Sequence, residues 1–142
     1  MNSKYYVLAA AVVVVIIVAL VFMFAQPAPQ SAHALYTQSV DLAEAGNYEQ
    51  ALATADKALV LNESSYTALI QTNRAGILVM LGKYEEANAA ADAALAIEGN
   101  LTTTHSIAWS NKGDALTALG RTAEAEAAYA NATALDPSLK HP

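Results

Sequence analysis

Residues 109–137 read Trp109-Ser110-Asn111-Lys112-Gly113-Asp114-Ala115-Leu116, then Leu119-Gly120, Ala125, Tyr129, Ala132 and Asp136-Pro137. Gly120 stands between a mixed apolar stretch and an Ala-rich one. Glycine just past a helix accepts the left-handed backbone that ends it. A short turn there predicts two helices packed as an antiparallel pair. The same unit occurs twice more upstream. Gly46, Gly82 and Gly120 mark the turns; Ala51, Ala87 and Ala125 follow at five residues, Ala58, Ala94 and Ala132 at twelve, and Leu61, Ile97 and Leu135 at fifteen. The glycines are 36 and 38 residues apart. Alanine at matched offsets lets helix axes approach closely, and such hairpins bury their faces only by stacking on one another. Helices are expected at about 32–45, 48–61, 64–81, 84–97, 103–119 and 122–135. Asn47, with Gln50 three residues on, reads as a capping box for the second of them.

The chain has 142 residues, 55% hydrophobic and 7% aromatic, with a net charge of −6. This composition suits thin, Ala-rich helical layers. All 13 acids lie at or after Asp41, so the downstream part repels phosphate backbones and nucleic acid is not an expected partner. The absence of cysteine excludes disulfides, thiol catalysis and Cys-type zinc sites. His33, His105 and His141 have no metal-ligand spacing, and no Gly-rich phosphate loop or paired base for Ser or Thr appears. No catalysis, cofactor, metal or small-molecule substrate is therefore expected. Glu49, Glu85, Glu86, Glu124 and Glu126 gather at the starts of second helices, where they suit the positive end of the helix dipole.

The N-terminus is of another kind. Val7 to Phe24 is an unbroken apolar run. As a helix it would span roughly 27 Å, close to a bilayer's hydrocarbon thickness. With Tyr5 and Tyr6 at the headgroup level, 5–24 reads as a transmembrane signal anchor. Lys4 is the one cation before Lys57, so residues 1–4 are expected in the cytoplasm and the remainder outside the cell membrane. The competing reading is a signal peptide cleaved at Ala32-His33-Ala34. Residues 25–31, with Pro27 and Pro29, read as a stiff linker.

The Trp, Gly, Ala, Tyr and Pro positions of 109–137 resemble a tetratricopeptide repeat, with Lys112 where the pattern has Leu and Leu116 where it has Tyr. The first and second units resemble it at their turns and second helices. The resemblance implies an all-α fold: a superhelix of three hairpins over 32–137, with units at about 32–63, 64–99 and 103–137 and a tail at 138–142. It also implies a protein or peptide partner on the concave face formed by the first helix of each pair. That face maps to Tyr36, Val40 and Ala43, then Leu69, Thr72, Gly76, Val79 and Met80, then Ile107, Ser110, Asp114 and Thr117. One branch of the family clamps acidic peptide termini with several Lys and Arg. Only Arg74 and Lys112 lie on these helices here, so such a clamp is not expected.

Asn62, Asn100 and Asn131 each begin an Asn-x-Ser/Thr sequon, a candidate glycan site if the domain is extracytoplasmic. The expected function is a membrane-anchored, non-enzymatic scaffold. The alternative is a surface-filament subunit stacking head to tail on copies of itself, since only 138–142 follow the flat, Ala-rich last helix.

Overall fold

The computed structural model describes residues 30–139 together with Val15 and Ile16. The apolar run 7–24 otherwise lies outside them. Among the described residues no helix is long and apolar enough to cross a membrane.

Residues 31–139 form one compact unit of six helices. These are α1 (Ala32–Glu44), α2 (Tyr48–Val60), α3 (Ser64–Met80), α4 (Tyr84–Leu95), α5 (Thr102–Ala118) and α6 (Thr122–Leu135). Each pair, α1/α2, α3/α4 and α5/α6, is an antiparallel hairpin. The ends lie within two residues of the ranges the repeat spacing predicts.

One backbone device closes every hairpin. Gly46, Gly82 and Gly120 have φ of 78°, 72° and 74°. Their N–H groups donate to Ala43, Val79 and Thr117 O, each at 3.0 Å. The next residues, Asn47, Lys83 and Arg121, donate to Leu42, Leu78 and Leu116 O at 2.8–2.9 Å. This pair of bonds is the Schellman motif, which satisfies the last carbonyls of the first helix and reverses the chain. It also corrects the reading of Asn47. That residue occupies the N-cap position of α2, but its side chain makes no cap hydrogen bond. The equivalent Lys83 and Arg121 make none either. The Schellman turn fixes the entry of the second helix through the backbone, and acids in its first turn (Glu49, Glu85 and Glu86, Glu124) offset the helix dipole.

The unequal repeat spacing has a local cause. α3 and α5 both have 17 residues. The connection between the first and second hairpins is 61–63, whereas that between the second and third runs over 96–101. The longer spacing thus sits in the loop, and the helices keep their register.

The core is thin because alanine builds it. Of the 20 buried hydrophobic residues among those described, 15 are Ala, and the larger members are Leu35, Ile70, Ile77, Leu78 and Leu116. Ala32, Leu35, Ala55, Ala58 and Ile70 join the first hairpin to α3. Ala75, Leu78, Ala87, Ala90, Ala91 and Ala115 join the second hairpin to α5. Leu116, Ala125 and Ala128 close the third beneath Trp109 and Tyr129. Each apolar cluster but the last therefore spans two repeats, which makes stacking a condition of stability.

An ion pair also recurs between repeats. Arg74 on α3 reaches back to Asp56 on α2 at 2.8 Å, and Lys112 on α5 reaches back to Asp92 on α4. Arg74 and Lys112 each stand eight residues before their turn glycine, and Asp56 and Asp92 ten after theirs. At the outer ends of the array those offsets hold Gln38 and Ala130, so neither end offers the pair again.

Candidate functional site: a groove across the first helices

α1, α3 and α5 lie side by side and leave a groove of about 540 Å³ across all three repeats. Drug-sized ligand pockets span roughly 300–1,000 Å³. Tyr36, Val40 and Ala43 of α1 line it, with Leu69, Thr72, Gly76, Val79 and Met80 of α3 and Ile107 and Asp114 of α5. Met80 and Ile107 are 60% and 43% exposed. Exposed apolar side chains gathered in one concave surface are a common feature of docking sites.

Two expected residues are elsewhere. Ser110 and Thr117 are not among the lining residues. On α5 the groove stripe runs Thr103, Thr104, Ile107, Asn111 and Asp114. Ser110, three residues after Ile107, rotates to the margin, while Asn111, four after, turns inward. Thr117 approaches the Tyr129 hydroxyl at 3.3 Å.

Sequence reasoning passed over the groove's amides. Asn73 and Asn111 both line it, and each stands nine residues before its turn glycine. That repeated offset was the available signal. The Asn73 amide donates to Ser39 Oγ at 2.9 Å, and Ser39 in turn donates to Ala51 O at 2.8 Å. Ser39 is fully buried, so this relay satisfies a polar group that would otherwise be costly, and it ties α1, α2 and α3 together. Asn111 donates to Thr72 O at 3.0 Å, joining α5 to α3. The amides therefore fix the spacing of the groove's three walls. Glu44 and Tyr48, at the first turn, complete the lining.

The electrostatics are one-sided. Among the described residues, Glu44 and Asp114 are the charged ones that line the groove, and both are exposed. The Tyr129 hydroxyl donates to Asp114 Oδ1 at 2.8 Å and so holds that carboxylate in place. Burial raises the Tyr129 phenol above its ordinary range, with the hydrogen bond to Asp114 and its charge acting the same way and the Thr117 hydroxyl opposing them. Arg74 and Lys112 are turned toward second-helix acids, and Lys112 also sits 5.5 Å from the Trp109 ring centre. Neither lines the groove. Asn62, Asn100 and Asn131 are all exposed, Asn62 with φ 51° at the end of α2. Among the described residues no group of His, Asp and Glu could hold a metal ion.

Comparison with known proteins agrees with this architecture. Two family models, each described as tetratricopeptide repeat, match residues 32–57 and 106–139. The second tetratricopeptide domain of Spaghetti (RPAP3), bound to the HSP90 peptide SRMEEVD, is similar with a TM-score of 0.67 and 25% identity, over 75% of this chain and 94% of that one. The first such domain of the same protein, bound to the same peptide, is similar with a TM-score of 0.68 and 26% identity, over 78% of this chain and 82% of that one. No curated protein matches. Residues 32–57 and 106–139 are thus matched as tetratricopeptide repeats, a fold suited to protein–protein interaction.

Proposed function

We propose that the chain is a membrane-tethered, extracytoplasmic scaffold that offers the groove of α1, α3 and α5 to a peptide segment of a partner protein. The observation that carries this reading is the groove itself: a concave surface crossing three repeats, with Met80 and Ile107 exposed inside it. The two structural relatives, each bound to a peptide, support the same use. The tether rests on the apolar run 7–24 and on the single cation before it.

The start of α1 favours an anchor that stays attached. Ser31 Oγ accepts from Ala34 N at 3.1 Å, Ala32 N donates to Glu63 Oε1 at 2.9 Å, and Ala32 is fully buried. Cleavage at Ala32-His33-Ala34 would strip α1 of its cap and of a core residue. In the proposed orientation Asn62, Asn100 and Asn131 are open to glycosylation.

Placing a photo-crosslinking amino acid at Ile107 of the full chain in native membranes tests the reading. The expected result is a specific adduct from position 107, none from the outward-facing Val60, and a chain that stays in the membrane pellet through alkaline carbonate. Equal adducts at both positions, or release by carbonate, would contradict it.

A further inference from the structure

Among the described residues, no cation compensates the charges of the groove. Its walls are apolar through Tyr36, Val40, Leu69 and Ile107, and among the described residues its two charged members are carboxylates. Glu44 belongs to the first wall helix and Asp114 to the third, with α3 between them. The two cations of the wall helices, Arg74 and Lys112, are committed to Asp56 and Asp92 on second helices and do not line the groove. The Tyr129 hydroxyl keeps Asp114 oriented. A ligand entering this surface therefore meets negative potential beside an apolar wall. Charge complementarity across interfaces steers encounter and excludes partners of like charge.

We propose that the groove receives an apolar peptide segment bearing a Lys or Arg, whose cation is met by Glu44 or Asp114, and that it disfavours acid-terminated peptides such as SRMEEVD. This rests on the reading of the groove as the partner site and specifies the partner's chemistry. A side chain with an apolar stem and a cationic head fits both features, since the stem lies along Val40 or Ile107 while the head reaches a carboxylate in water. The two relatives present the contrast, because the peptide bound to them carries acidic residues.

The test pans a display library of short random peptides against the full chain in neutral detergent and counter-selects against Ile107→Ser. Binders lost with that variant are synthesised, along with versions in which each Lys or Arg is replaced by Gln or by Glu. Lys or Arg should be enriched over Asp and Glu among them. The Glu44→Gln/Asp114→Asn double variant, of unchanged helicity, should weaken a cationic binder by roughly threefold to tenfold. The same variant should leave the Gln-substituted peptide unaffected, and added salt should weaken the cationic binder alone. Groove-dependent binders without cation enrichment, or tighter binding of SRMEEVD than of the cationic peptides, would overturn this inference and leave the groove reading standing. No peptide sensitive to Ile107→Ser would overturn both.

Discussion

The ring of Tyr129 lies directly on the backbone of Gly113: a Cβ built at that glycine would meet Tyr129 Cε1 at 2.3 Å. The equivalent pairs in the other repeats are Ser39 with Ala55 and Ala75 with Ala91. Where the second helix carries alanine, the first can carry a side chain. Where it carries tyrosine, the first must carry none. The two sites share one fixed volume, and the third hairpin fills it from the opposite side.

That relationship predicts the response to substitution. Gly113→Ala forces Tyr129 out of its seat and should destabilise the chain by about 1–3 kcal/mol, the usual range for overpacking. In the background of Tyr129→Ala the same change should be close to neutral or stabilising, since alanine is the better helix former. Denaturant melts of the four proteins measure the coupling directly. Equal effects in both backgrounds would show that the ring and the glycine do not compete for space.

Tyr129 also gives a pH signature. Its folded-state pKa is raised above 10.0, chiefly by burial. The folded state therefore holds the phenolic proton more tightly than the unfolded chain. The associated stability is fully present below the unfolded value and is lost as pH rises through the folded one. Thermal melts should show a fall in stability above about pH 10 that is smaller in Tyr129→Phe.

The Asp56–Arg74 and Asp92–Lys112 pairs join neighbouring repeats, yet their acids are 51% exposed. Exposed pairs contribute about 0–1 kcal/mol. Arg74→Met and Lys112→Met should each cost no more than that in dilute buffer, and the difference from wild type should shrink in molar salt. A loss of several kcal/mol at either position would mean that the ion pairs, and not the alanine seams, hold the repeats together.

How far the sequence discloses this molecule depends on which force acts at each position. The hairpins are legible because a left-handed turn residue is nearly always glycine, so Gly46, Gly82 and Gly120 announce themselves. The seams are legible because only small residues permit close axes, hence Ala58, Ala94 and Ala132. Asn47 misleads because a capping side chain and a Schellman turn compete for one position, and the turn prevails through backbone bonds that leave no sequence mark beyond the glycine. The wall of α5 is read one residue out at Ser110 and Asn111 because the stripe that faces the groove is set by how α5 rotates against α3, which the Asn111–Thr72 bond decides. The Gly113–Tyr129 seat is local in space but sixteen residues apart in sequence, and nothing in either residue alone names the other.

Whether a partner peptide seats on the face of α1, α3 and α5 can be read residue by residue by methyl NMR. The full chain, labelled at Met80, Val40, Leu69, Ile107 and the outward-facing Val60, is titrated with a cationic peptide from the display selection. Binding in the groove should give progressive, saturable shifts at the four groove methyl positions with Val60 unmoved. Shifts at Val60 while Ile107 and Met80 stay still would contradict it.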